Sequence, residues 1–389
     1  MGPHCRSIFV AGFAIFSMFF GAGNLMFPLQ LGQCSGTHWG WAMGGLFVAG
    51  IWVPFLGLIS MLFYRCDREA YFAPLGKRLG EGICFLILCL IGPLGAGPRC
   101  INAAFGSCQM GWPSLSPTIF NGIFCAAVAL CILNREKVVP ILGGWLSPAL
   151  LVALVVVICG GFKRDPGGSS GEIVSAGRAF CTGLRTGYQT MDLLASFFFS
   201  ITIYLYLRSR CLILGGGKEG PFLLRFCGAA FLVGMGILSF VYAALVLLGS
   251  RYADLLSQVS ADRFLMVLST QAIGNTAATL VAILFALACL TTVVAVLHLF
   301  ADFFRISICR CRISNNLSLA LTLILTYGVS LLGFSAICKM LATTMEFLYP
   351  SFIALALVNV FSRFFWFNPN RASLCFYGIL LWVTLSKWM

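Results

Sequence analysis

Three short stretches carry polar or conformationally unusual residues inside runs that are otherwise apolar. The first is Phe19-Phe20-Gly21-Ala22-Gly23-Asn24-Leu25-Met26-Phe27-Pro28, midway along an apolar run from Ile8 to about Leu31. Glycine weakens a helix interior, and Pro28 lacks an N–H and restricts Phe27 before it. A break here would free N–H and C=O groups at a depth where only a cavity or a bound polar group can satisfy them. The second stretch runs from Gly183 to Asp192, where Gly187, Gln189, Thr190 and Asp192 interrupt another apolar run. The third is Thr291-Thr292. Two hydroxyls suit a hard monovalent cation, which takes oxygen ligands. Each stretch also has a purely structural reading. The glycines can serve close helix packing through a kink, and each threonine can bond its own carbonyl one turn back.

The elements that must position these groups follow from hydropathy. The 389 residues are 60% hydrophobic and 10% charged, with mean hydropathy +0.97. That composition excludes an ordinary soluble domain and implies an all-α polytopic membrane protein; a β-barrel would alternate in short segments. Eleven apolar stretches stand out, at roughly 8–33, 39–63, 82–110, 117–133, 138–161, 178–207, 221–248, 272–300, 315–333, 336–361 and 373–388. The polar segments 162–177 and 249–271 are expected to be connectors, so the chain is one domain. Lys and Arg number 16 on one side and 7 on the other, which puts the N-terminus in the cytoplasm. The interruption of span one recurs five spans later in a span running the opposite way. Paired interruptions of this kind point to an inverted repeat with a binding site near the bilayer midplane. Repeat one is then about 8–161, repeat two about 178–361, and 373–388 is an extra span.

The charge of +13 is spread between apolar runs and indicates no nucleic-acid partner. Most of the 18 cysteines fall inside spans, where they act as small apolar residues. The histidines are His4, His38 and His298. None adjoins a Cys or Asp in a triad or metal pattern, and no phosphate loop is present, so a membrane-embedded enzyme or an ATP-driven pump is disfavoured.

The first stretch resembles the span-one signature of the bacterial branched-chain amino acid:cation symporter family. The resemblance continues through Gly92-Pro93-Leu94 with Pro98-Arg99 and through Gly187-Tyr188-Gln189-Thr190-Met191-Asp192. It extends to Ala288-Cys289-Leu290-Thr291-Thr292 and to Tyr349-Pro350 with Ile353-Ala354-Leu355. It implies a five-plus-five inverted-repeat fold with discontinuous first and sixth spans, in about twelve spans against the eleven counted here. It further implies sodium-coupled import of leucine, isoleucine and valine across a bacterial cytoplasmic membrane. Sodium would be the coupling ion, with no other cofactor and no obligate protein partner. A proton- or sodium-coupled carrier of another small amino acid or amine is the alternative, since fold does not fix substrate.

An amino acid arrives as a zwitterion. Its carboxylate suits the N–H groups and dipole of a half-helix N-terminus, here Ala22, Gly23 and Asn24. Its ammonium suits carbonyls at a half-helix C-terminus, near Gly187 and Tyr188. Phe19, Phe20, Tyr188, Met191 and Phe198 are candidate apolar walls. The resemblance places sodium where spans one and eight cross, between Ser17, Phe20, Thr291 and Thr292. Asp192 can cap the second half of span six or face a bound cation. Arg99 is read as a brace of span three through carbonyls. Glu346 is placed against Lys339, two turns back, or in an aqueous path. Ala288, Thr291, Ala295, His298 and Asp302 share one helical face, expected to line the route to the cytoplasm.

Overall fold

The computed structural model describes residues 3–109, 111–133, 135–164, 175–214, 221–364 and 370–388. Helix occupies each of the eleven expected stretches, with bounds moved by a few residues. Span one is two helices, α1 (Pro3–Phe19) and α2 (Ala22–Ser35). Span two is α3 (Trp39–Phe47) and α4 (Val53–Phe63), joined by one π-helical turn. A short helix, α5 (Arg68–Phe72), leads to span three, made of α6 (Lys77–Ile91) and α7 (Ala96–Gln109). Spans four and five are α8 (Pro117–Leu133) and α9 (Arg135–Lys163). Span six is α10 (Ala176–Thr190) and α11 (Asp192–Leu214), and span seven is α12 (Pro221–Arg251). After α13 (Ala253–Ser257) and α14 (Phe264–Ile273) comes span eight, α15 (Asn275–Phe303). Spans nine to eleven are α16 (Asn315–Ser330), α17 (Phe334–Phe364) and α18 (Asn370–Trp388). Among the described residues there is no strand.

Two elements differ from expectation. Span three is interrupted at Gly92–Gly95, where Pro93 brings no N–H; Leu94 bonds back to Cys89 and Gly97 to Gly92. The connector 249–271 is largely helical, because Phe264-Leu265-Met266-Val267-Leu268 is apolar enough to bury yet too short to cross, so α14 packs on α9 and α15. Most of the connector 162–177 lies outside the described residues.

The packing has a pairwise order. Span one lies on span seven, through α1 and α2 against α12. Span six lies on span two, through α10 against α3 and α11 against α4. Span three meets span eight, through α7 against α15. Each repeat thus hands its first span to the second span of the other, as inverted repeats around an in-plane axis do. Lipid tails are as apolar as leucine, so close van der Waals approach rather than hydrophobicity holds such helices together. Glycines permit that approach at matching places. A Cβ on Gly32 would run into the Val246 carbonyl, and one on Gly249 into that of Leu29. Across the other pair, Gly45 meets the Phe180 carbonyl and Gly183 that of Ala42.

Overpacking a helix contact costs about 1–3 kcal/mol or more. Gly183→Val and Gly249→Val should therefore lower the thermal unfolding temperature of the purified protein by several degrees. Gly236→Ala, on the same helix as Gly249 but with open space at its Cβ position, should leave it unchanged or raise it slightly.

Candidate functional site

At the break in span one the chain is extended at Gly21, with φ −110° and ψ −176°. In a continuous helix the Gly21 N–H would bond the Ser17 carbonyl. Here it turns to Phe19, 2.9 Å away, and the Asn24 N–H goes to the Gly21 carbonyl at 3.1 Å instead of to Phe20. The carbonyls of Ser17 and Phe20 are thereby released at the end of α1. The N–H groups of Ala22 and Gly23 open α2 ahead of its first intrahelical bond. Pro28 does not end the helix; it sits inside α2 and withholds one bond.

The break in span six is treated differently. Met191 is left-handed, φ 60°, a conformation that costs a non-glycine residue on the order of 1–3 kcal/mol. The groups this break exposes are satisfied by the protein itself. The Gly187 carbonyl accepts from the Thr190 hydroxyl at 2.8 Å. That of Tyr188 accepts the Met191 N–H at 3.2 Å. Gln189 O accepts from Arg99 Nη1 at 2.8 Å. At the start of α11 the Leu193 N–H donates to the Tyr349 hydroxyl at 3.3 Å. So the carbonyls nominated for an ammonium at Gly187 and Tyr188 each already accept one bond. Gly187 itself is pressed on Ala49 and Gly50 of span two.

The two breaks are tied to one another. Asn24 Nδ2 donates to Asp192 Oδ2 at 2.9 Å and to the Tyr242 hydroxyl at 2.6 Å, and that hydroxyl donates to Asp192 Oδ2 at 3.3 Å. All three residues are buried. Each of the three protons has an acceptor, so the triangle is closed. Asp192 is the first residue of α11, and its carboxylate reaches across to span one.

At the crossing with span eight, Thr291 Oγ1 and Thr292 Oγ1 donate to the same carbonyl, Ala288 O, at 2.8 and 3.0 Å. Three oxygens are thus gathered at one point of α15. Opposite stands Gly21, whose Cβ position lies 4.0 Å from Thr292 Oγ1.

A helical chain with breaks in its first and sixth spans, tied at mid-depth, has known counterparts. A profile described as branched-chain amino acid transport protein matches residues 4–387. The chain belongs to that family. It is 30% identical over 378 residues to the branched-chain amino acid permease BrnQ of Escherichia coli, covering 94% of this chain and 82% of that one. It is 28% identical over 380 residues to a putative branched-chain amino acid carrier protein of Staphylococcus aureus, covering 92% and 83%. Among solved structures it is similar to a manganese transporter of Eremococcus coleocola, with TM-score 0.57, 15% identity and coverage of 97% and 85%. It is also similar to a sodium-coupled sialic acid symporter, with TM-score 0.53, 10% identity and coverage of 97% and 88%. These likenesses show the fold: five-plus-five inverted repeats with discontinuous first and sixth spans.

In this transporter the remaining candidates are dispersed around the breaks. Tyr188 stacks on Tyr349 with ring centroids 4.6 Å apart. One turn earlier on α17, Glu346 lies 3.7 Å from Arg185 of α10; the sequence reading offered Lys339 or an aqueous path. Phe20 stacks on Phe16 at 4.7 Å and is buried, as are Phe19 and Met191. Phe198 lies under the Arg68 guanidinium, with Phe197 and Tyr71 in the same buried cluster. His298 Nε2 lies 3.0 Å from Asp302 Oδ2 on the shared face of α15. Tyr242 was missed, because a tyrosine in a long apolar run gives no local sign that its hydroxyl closes a network.

Removing one member of the triangle leaves buried polar partners short, at about 1–3 kcal/mol each. Asn24→Leu should lower the unfolding temperature and abolish transport, while Tyr242→Phe should cost less on both counts. Equal melting of Asn24→Leu and wild type would mean that the triangle does not hold the breaks together.

Proposed function

We propose that this protein is a secondary symporter that imports leucine, isoleucine and valine with sodium, in a bacterial cytoplasmic membrane with its N-terminus inside. The Ser17 and Phe20 carbonyls released at the end of α1, with the Cβ position of Gly21 4.0 Å from Thr292 Oγ1, carry the reading. The Thr291 and Thr292 hydroxyls make the local bonds to the Ala288 carbonyl that hydroxyls in membrane helices commonly make. When an ion enters, each hydroxyl turns its proton away and three oxygens face one point. The Ser17 and Phe20 carbonyls, released at the end of α1, supply the rest. Sodium coupling in the sialic acid symporter of the same fold supports this choice of ion. The branched-chain amino acid permease and putative carrier to which the chain is similar support the substrate class.

The substrate then lies across the break, its carboxylate at Ala22 and Gly23 and its side chain among Phe20, Tyr188 and Met191. Asn24 serves through its side chain, which holds span six in place. The ion leaves along the face Ala288, Thr291, Ala295, His298 and Asp302. None of the described side chains on it is buried, whereas Cys289, Val293, Val296, Leu297 and Phe300 on the other side are.

Uptake of labelled leucine into proteoliposomes, with and without an inward sodium gradient, tests the reading. Isoleucine and valine should compete with leucine, since one methylene in an apolar pocket is worth only about 1–3 kcal/mol; lysine and glutamate should not. Thr291→Val with Thr292→Val keeps volume and removes both hydroxyls, so sodium stimulation should disappear while the protein stays folded. Stimulation that survives this pair would move the ion elsewhere or make it a proton, with Asp192 and Glu346 the next carboxylates to substitute.

A further inference from the structure

Arg99 carries a charge that neither the ion site nor the triangle uses. It is 3% exposed and sits on the first turn of α7, just after the span-three break. A guanidinium has five N–H donors and no acceptor. One, on Nη1, is spent on Gln189 O at the end of α10. The face of the group rests on the Phe27 ring, 4.9 Å from its centroid. Nε is buried with no hydrogen-bond partner. Nη2 comes within 2.8 Å of the point where a Cβ on Gly23 would stand. Gly23 is therefore not bare so that a ligand can fill its Cβ space; the guanidinium fills that space already.

Asp192 lies within electrostatic reach of this charge but forms no ion pair with it. Its Oδ2 is held by Asn24 and Tyr242, and among the described residues no carboxylate comes within ion-pair distance of Arg99. The Asn24 N–H is spent on the Gly21 carbonyl, which leaves the Ala22 and Gly23 N–H groups as the open donors of that first turn. A buried cation thus stands beside the positive end of the α2 dipole. Ionisable groups at membrane depth are costly and are retained where they bind something. Both fields call for an anion, and an unpaired Nε–H next to Nη2 is the edge on which a guanidinium receives two oxygens at once.

We propose that Arg99, with the Gly23 N–H, binds the carboxylate of the transported amino acid. The inference rests on the amino-acid reading above and deepens it. The bond from Nη1 to Gln189 holds the guanidinium at the end of α10, so the same side chain that meets the carboxylate also ties span six to span three.

The test compares each amino acid with its amino alcohol, in which CH2OH replaces the carboxylate, on purified protein in sodium. Leucine with leucinol, methionine with methioninol and alanine with alaninol form the panel. Wild type should prefer the amino acid by about ten- to hundredfold, the range of a charge-assisted contact. Arg99→Gln should lose that preference while binding the alcohol as wild type does, and Arg99→Lys should keep part of it. An equal loss of acid and alcohol in Arg99→Gln would make the residue a brace only and overturn the proposal. So would a wild type that binds leucinol as tightly as leucine, a measurement that needs no variant. If methionine or alanine binds with the Arg99-dependent preference and leucine does not, the branched-chain reading fails and the Arg99 assignment stands. If wild type binds no amino acid, both fail.

Discussion

A helix that stops half-way across a bilayer releases backbone groups that water cannot reach, and the rest of this structure answers that constraint. The two breaks are answered unequally. At span six, side chains and local turns take up the Gly187, Tyr188 and Gln189 carbonyls and the Leu193 N–H. At span one, the turn at Gly21 diverts N–H groups away from the Ser17 and Phe20 carbonyls and leaves the start of α2 open. Unsatisfied groups in hydrocarbon are costly enough that they persist only where something polar binds. The asymmetry supports the proposed reading, in which span one receives the ligands and span six is held.

Holding it requires partners from far along the chain. Asn24 and Asp192 are 168 residues apart, and Asn24 and Tyr242 are 218 apart. Such bonds form only if spans one, six and seven, which carry them, approach closely. Gly32 and Gly249 bring spans one and seven together, and Gly45 and Gly183 bring spans two and six together. The small residues and the polar triangle are thus one device. Glycine removes the bulk that would keep the helices apart, and the triangle fixes the register at which they meet.

This also explains what could be read from the residues alone. Both breaks were legible, because Gly21-Ala22-Gly23 and Gly187 through Asp192 interrupt apolar runs in ways a helix cannot ignore, and the opposite orientation of the two spans suggested the inverted repeat. The hydroxyl pair at Thr291 and Thr292 was legible for the same reason. Partners were not. Arg99 was read as a brace of span three through carbonyls, and the carbonyl it takes is that of Gln189 in span six. Glu346 was offered Lys339 on its own helix or an aqueous path, and the fold brings it to Arg185 of another helix. Periodicity reports which residues share a face of one helix and nothing about which helix that face will meet. The span-three break went unread although Gly92-Pro93 and Gly95 carry a helix-breaking signal, because no polar residue interrupts that apolar run as Asn24 and Asp192 do in spans one and six.

The geometry at Phe20 and Gly21 bears on coupling. On the proposed reading, the cation takes carbonyls that point back along α1, and the carboxylate takes N–H groups that point forward along α2. Two residues separate the end of one helix from the start of the other, so the opposite charges bind at neighbouring ends of the same break. Unit charges a few ångströms apart attract strongly where water is scarce, on the order of 4 kcal/mol at 4 Å for an effective dielectric of 20. Neither ligand then needs to move the other's side chains to favour its binding. Linkage makes the effect reciprocal: sodium raises the affinity for substrate by the same factor as substrate raises that for sodium. A zwitterion that presents its carboxylate to this break gains from the ion directly, whereas an amine without that carboxylate gains nothing from it. On the proposed reading, selectivity for amino acids and dependence on the cation come from one feature of the backbone, the extended residue Gly21 between two helix ends.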